Sequence, residues 1–239
     1  VGAMNTFGVT GSSFVELAAA ASGTTHGKRC VIAYPNQMNY YNGSTNQVVA
    51  VDGPYLAAAY AGRLSAIPVQ KPLTKEIIRG FAGVPAAILT RMTKSFKDNY
   101  SKNGVAVAEV DRQNRLSIRH GVTTDMSSVL TRELSIVRAR DVLFEMCQVG
   151  TEAAGLIGSP IDEETPIQVK ATVVNVLESA LVGGVIVSYQ NVSVRQQKLP
   201  PGDPTVIEVK FVYLPALPLN YIVVQFAIDL NTGTTTLTD

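Results

Sequence analysis

Arg29–Leu64 reads RCVIAYPNQMNYYNGSTNQVVAVDGPYLAAAYAGRL. This stretch decides the fold class. Arg29–Tyr34 is a short, mostly apolar run of the kind that forms a buried strand. Asn36–Gln47 is polar and reads as a loop. Val48–Val51 is a second apolar run. Asp52-Gly53-Pro54 then opens a helix that continues to about Leu64, with Asp52 as its N-cap and Pro54 in its first turn. Ala57, Ala58, Ala59 and Ala61 keep that helix slim enough to lie close against a sheet. Strand followed by helix is the alternation of an α/β layer.

The same reading extends in both directions. Upstream, Ser13-Phe14-Val15-Glu16 has the pattern of a capping box opening a short helix that closes at Gly23, with Phe14, Leu17, Ala18 and Ala21 on its apolar face. Downstream, Pro68, Pro72 and Pro85 punctuate an irregular region. Val105–Val110 and Arg115–His120 read as two strands joined by the polar turn Asp111–Asn114. In Ser128–Gln148, Leu134–Val137 reads as extended and Asp141–Gln148 as helix. Thr165-Pro166-Ile167-Gln168 has the pattern of a second capping box. Val169, Val173, Val176, Leu177 and Ala180 follow at helical spacing, and Gly183-Gly184 ends that helix. Val185–Val194 and Thr205–Leu214 read as strands. In the second of these, Ile207, Val209, Phe211 and Tyr213 share one face while Glu208 and Lys210 take the other. Tyr221–Asp229 reads as a final strand with Ile222, Val224, Phe226 and Ile228 on one apolar face, and it runs into a tail of Thr, Asn and Gly. The expected architecture is α/β (α+β): a mixed sheet flanked by helices in a core domain over 1–216. An extended C-terminal strand and arm over 217–239 is expected to pair with neighbouring subunits.

Composition limits what such a chain does. With 239 residues and 46% hydrophobic residues it is large enough to bury a substantial core. Its 20 basic and 19 acidic side chains nearly cancel. It therefore lacks the basic bias of a nucleic-acid or anionic-membrane binder, and near-neutrality removes a barrier to self-association. No stretch reads as a membrane span or a signal peptide. The first Met stands at position 4, which suggests a protein longer at its N-terminus. Cys30 and Cys147 make no disulfide framework and read as buried thiols.

Catalytic patterns fail one by one. In Gly23–Arg29 the glycine spacing is wrong for a phosphate loop, an Arg stands where magnesium needs Ser or Thr, and the order of helix and strand is reversed. His26 and His120 have no partner at metal-ligand spacing. His120 with Asp125 would need a serine on a G-x-S-x-G turn, which the chain lacks. Asp162-Glu163-Glu164 precedes a helix, where the dipole favours negative charge. No catalytic residue, metal ligand or cofactor is expected. The residues leave open, as an alternative, an α/β enzyme or ligand-binding domain with an unrecognised site.

Four stretches together resemble the tail sheath proteins of contractile phages. Asp52–Pro85 is similar to the family's small-residue helix leading through a proline-containing segment to a short strand ending in Gly-Val, with Ala61, Gly62, Pro68, Pro72, Gly83 and Val84 matching in kind. Asn103–Asp125 resembles a hairpin of the family. Glu133–Met146 resembles its arginine-bearing strand leading into a helix, with Arg138 and Arg140 at the matching places. Phe211–Asp229 resembles its ending: a strand, a proline-containing turn, then an aliphatic strand. The chain departs from the family in lacking tryptophan and in showing no N-terminal arm. The resemblance implies a virion protein whose rings stack as a helical homo-oligomer around a tail tube protein, between baseplate and tail terminator proteins. It implies contraction that drives the tube through the host envelope, with no direct nucleic-acid contact and no membrane insertion. It also implies strand exchange between subunits, for which Tyr221, Ile222, Val224, Phe226 and Ile228 are the candidates. Arg138, Arg140, Glu163 and Glu164 are candidates for charge contacts between subunits.

Overall fold

The computed structural model describes residues 2–4, 11–22, 26–113, 115–197, 202–222, 227–228 and 235–236. A strand β1 (Gly2–Met4) and a helix α1 (Gly11–Ser22) come first. The helix begins at Gly11, so Ser13 lies inside it and is not the cap that its spacing with Glu16 suggests. A single 3₁₀ turn, Gly27–Arg29, leads into β2 (Cys30–Tyr34). The polar run 36–47 is not a loop. It folds as most of a hairpin, β3 (Gln37–Asn42) against β4 (Gln47–Asp52), in register from Gln37↔Asp52 to Asn42↔Gln47. Its turn places Asn46 at φ 56°, which Asn tolerates better than most residues. Tyr40, Tyr41, Val48 and Val49 supply the β-forming side chains that the surrounding Asn and Gln disguise.

Helix α2 (Gly53–Ser65) follows, with Asp52 extended at its N-cap and Pro54 in its first turn. After the short α3 (Ala86–Leu89), Thr93 caps α4 (Lys94–Lys102) by accepting from the Phe96 amide. Gly104, at φ 80°, turns the chain into β5 (Val105–Val110); a Cβ there would stand 3.0 Å from the Thr123 carbonyl oxygen. β6 (Leu116–Ile118) returns antiparallel, its turn held by Asp111 accepting from the Gln113 and Arg115 amides.

These strands form one mixed sheet in the order β1-β2-β5-β6, with β1, β2 and β5 parallel and β6 antiparallel. Val31–Tyr34 and Val105–Ala108 are fully or almost fully buried. α1 and α4 meet at an aromatic cluster in which Tyr34 contacts Phe14, Phe96 and Tyr100. α2 packs along β1 and β2 through Leu56 and Tyr60. The segment 75–78 runs beside β6 through paired amides and carbonyls, so part of the proline-punctuated region is extended.

The second half is built on two long helices. Ser128 and Thr131 cap α5 (Val129–Arg132) reciprocally, Glu133 interrupts the helix in extended geometry, and α6 (Leu134–Ala153) follows. Leu134–Val137 is therefore helical, not extended. Leu134, Ile136 and Val137 are all buried, so the start of α6 shows no exposed stripe and its apolar run mimics a strand. α7 (Thr165–Val182) opens at Asp162, whose carboxylate accepts from the Thr165 amide while Thr165 accepts from the Asp162 amide. The reciprocal cap thus spans 162–165 and not 165–168.

β7 (Ile186–Gln196) and β8 (Ile207–Pro215) form a separate two-stranded antiparallel sheet. It carries a bulge where Asn191, at φ 58°, and Val192 stand opposite Phe211. Ile207, Val209, Phe211 and Tyr213 face α6 and α7, as their alternation requires. The core is thus two clusters, one around the mixed sheet and one between α6, α7 and the β7–β8 sheet. α6 serves both, through Leu134 in the first and Ala139 and Leu143 in the second. Further on, β9 (Ala227–Ile228) pairs antiparallel with β10 (Thr235–Thr236).

Candidate assembly surfaces

The β7–β8 sheet presents the features of an interaction surface. Among the described residues no further strand pairs with either outer edge of this two-stranded sheet, one face of which rests on a helix pair. Its outer face exposes Val187, Val212 and Leu214. Charge is kept local: Glu208 accepts from Arg195 across the sheet at 2.8 Å and from Lys210 at 2.9 Å. Beside it, an apolar groove of about 430 Å³ is lined by Leu143, Phe144, Val173, Val209, Phe211 and Tyr213. Phe144 is 72% exposed at its rim. Cys147 also lines it, and burial pushes its thiol pKa up.

The candidates for strand exchange divide between described and undescribed residues. Tyr221 and Ile222 are exposed and lie outside any strand. Val224 and Phe226 lie outside the described residues. Ile228 falls in β9, paired with Thr235 of the same chain. Of the expected strand over 221–229, Ala227–Ile228 is described as strand, paired with Thr235–Thr236, while 223–226 and 229 lie outside the described residues.

The charged candidates also divide. Arg138 is taken up inside the chain: its Nη2 donates to the Leu64 carbonyl at 2.8 Å and the Ile67 carbonyl at 3.3 Å. It thereby supplies a donor to the Leu64 carbonyl at the end of α2 and to the Ile67 carbonyl just beyond it. Burial lowers its pKa, with the neighbouring Tyr60 opposing. Arg140 lies beside Asp141 at 3.4 Å, and Asp141 takes a two-pronged bond from Arg29 at 2.7 and 2.8 Å. That Arg29–Asp141 bond ties the front of β2 to α6. Glu163 and Glu164 are exposed at the start of α7, and no ion pair to either is seen among the described residues.

Sequence reasoning missed two buried polar sets. Glu109 on β5 is 5% exposed and is held by Lys75 at 2.5 Å, Lys97 at 2.8 Å and Arg119 at 2.9 Å. Burial alone would raise its pKa; the hydrogen bonds from Lys75 and Lys97 win and bring it down to about 2. In the other set, His120 Nε2 stands 3.1 and 3.2 Å from the two oxygens of Glu133, which also accepts from Arg132 at 3.1 Å. Isolated charges in apolar runs were the only available signal. Among the described residues, no three His, Cys, Asp or Glu side chains converge as a metal site would require, and no helix is long and apolar enough to cross a membrane.

Comparison with known proteins carries the resemblance further. No family model matches the chain. A protein named tail sheath protein, from Mycobacterium phage Bxz1, is 38% identical over 211 residues, which is 88% of this chain. The chain spans only 35% of that relative's length. Among solved structures, a chain of the anti-feeding prophage baseplate in contracted state superposes with a TM-score of 0.68 at 16% identity, covering 96% of this chain and 61% of that one. The sheath tail protein from Desulfitobacterium hafniense gives 0.61 at 10% identity, covering 89% and 48%. The sheath tail protein from Listeria innocua gives 0.57 at 14%, covering 90% and 56%. The chain is thus a relative of phage tail sheath proteins in sequence, and it shares their mixed α/β fold.

Proposed function

We propose that this chain is part of a structural subunit of a contractile tail sheath. The observation that carries this is the 38% identity to a tail sheath protein across 88% of the chain. In this reading the subunits form rings that stack into a helical homo-oligomer around a tail tube, between baseplate and terminator, in a virion. Contraction drives the tube through the host envelope. The activity is mechanical, with no cofactor and no catalytic step.

Strand exchange is the proposed linkage. The segment from Tyr221 to Ile228 of one subunit adds to an open edge of a neighbour's β7–β8 sheet, where main-chain bonds set register and alternate side chains set specificity. Burying Ile222, Val224, Phe226 and Ile228 at ~1.5–3 kcal/mol each would give on the order of 6–12 kcal/mol before ordering costs. That exceeds what one pairing of two-residue strands such as β9–β10 contributes, so exchange with a neighbour replaces it. Arg140, Glu163 and Glu164 are the proposed adjustable charge contacts; Arg138 is the weaker candidate because its donors already serve α2.

Negative-stain microscopy of the purified protein tests the reading. Helical tubes or stacked rings are expected. A protein that stays monomeric at all concentrations, with a nucleotide or metal bound stoichiometrically, would favour a ligand-binding domain instead.

A further inference from the structure

After β8 ends at Pro215, the chain leaves the helix-pair cluster and crosses to the mixed-sheet cluster. Pro215 and Pro218 stiffen the crossing, since each fixes its own φ. On the far side two consecutive residues are held. The Asn220 carboxamide oxygen accepts from the Thr74 hydroxyl at 2.9 Å, and the Asn220 side chain helps hold down the pKa of the neighbouring Glu133 carboxylate. The Thr74 hydroxyl in turn accepts from the Gly121 amide at 3.3 Å. The Tyr221 ring stands edge-on to His120, with centroids 5.8 Å apart at 81°.

The ground beneath these residues is rigid. His120 is 5% exposed and Glu133 1%. Glu133 sits at the break between α5 and α6, bridged antiparallel to Val122. A buried carboxylate must be satisfied by donors, and here they come from His120 and Arg132, with Asn220 nearby.

We propose that Pro215–Tyr221 is a strap that ties the two clusters together, latched by Thr74, Glu133 and Asn220 under the Tyr221 ring. Glu133 is the positioning residue. The latch fixes the position and direction of the chain at Ile222, so a pull applied there is resisted by the mixed sheet and not by the end of β8. The inference rests on contacts within one chain and holds whether or not the outgoing segment exchanges strands.

The test is a distance measurement between spin labels at Arg112→Cys and Ile222→Cys, both exposed positions, in a Cys30→Ser, Cys147→Ser background. The expected result is a narrow distribution that broadens about twofold in Thr74→Val/Asn220→Ala and in Glu133→Gln, with an unchanged melting temperature for the first variant. The imidazole proton signals give a second readout. The chain has two histidines, so His26→Gln assigns the His120 signal, which Tyr221→Ala is expected to shift. A broad distribution in the unsubstituted protein, or a narrow one retained by Thr74→Val/Asn220→Ala, would overturn the latch. Should Glu133→Gln fail to fold, the Thr74/Asn220 pair decides.

Discussion

Glu109 shows how a single residue can hold a β-strand to the elements around it. Its carboxylate sits on a buried strand and draws Lys75, Lys97 and Arg119 onto it from three places. Arg119 in turn reaches Asp98 on α4. Removing one member of such a set leaves the others uncompensated, so Glu109→Gln is expected to cost roughly 3 kcal/mol, read from denaturant midpoints. The pKa, lowered from 4.5 to about 2, fixes the sign of the pH effect. The stabilisation is complete above pH 4.5 and is lost as pH falls towards 2, by on the order of 2–3 kcal/mol. Acid titrations of the parent and Glu109→Gln should converge across that window; parallel curves would show that Glu109 does not drive acid unfolding. Arg138 makes a smaller, geometric contribution. Arg138→Met keeps the apolar stem and removes the donors to Leu64 and Ile67, so a loss of about 1–3 kcal/mol is expected in thermal melts.

At the scale of elements, the helix pair and the β7–β8 sheet are joined through alternating side chains, and the segment after Pro215 leaves that unit. Cutting the chain after Ile222 keeps Asn220 and Tyr221 in place and removes Val224, Phe226 and Ile228, three of the four apolar anchors proposed to cross between subunits. The truncated protein is expected to melt within a few degrees of the full chain and to form no tubes in micrographs. Normal tubes from the truncated chain would rule out strand exchange through 223–229. On the acceptor side, Val212→Pro at an exposed position of β8 removes one main-chain amide of the β7–β8 sheet and is expected to abolish tubes. The measurements again are tubes and melting temperature. A loss of both together would mean that the substitution acts through folding.

At the scale of the whole molecule, 20 basic against 19 acidic side chains leave subunits free to approach one another. Exposed ion pairs are worth ~1 kcal/mol or less and are screened over about 8–10 Å, so contacts made by Glu163 and Glu164 should weaken with salt while apolar strand links persist. The double reversal Glu163→Lys/Glu164→Lys is expected to lower assembly at low salt and to flatten its salt dependence, followed by light scattering. An unchanged salt response would leave these residues as a solvated helix start. The reversal also opposes the α7 dipole, a cost of roughly 0.3–1 kcal/mol per charge that a melting curve separates from assembly.

The sequence by itself determined the elements whose patterns are strictly local. The slim helix after Asp52, the 105–118 hairpin, α7 with its apolar spacing and the inward face of β8 all follow from periodicity and turn chemistry, because each buries one face against a single neighbour. It also carried the family resemblance, since the order of elements is a property of the chain. Three things waited for the tertiary structure. Leu134–Val137 is helix because it is buried around most of its circumference, and burial on all sides erases the period that tells helix from strand. The 37–52 hairpin forms although much of it is polar, because its main-chain pairs and tyrosines compensate where pattern does not. Apart from Arg132, which adjoins Glu133, the partners of Glu109, Glu133 and Arg138 lie on other elements of the chain, as far as 74 residues away for Arg138. Long-range charge pairing has no period, so only the fold could decide which cation meets which carboxylate, and that Arg138 turns inward to close a helix.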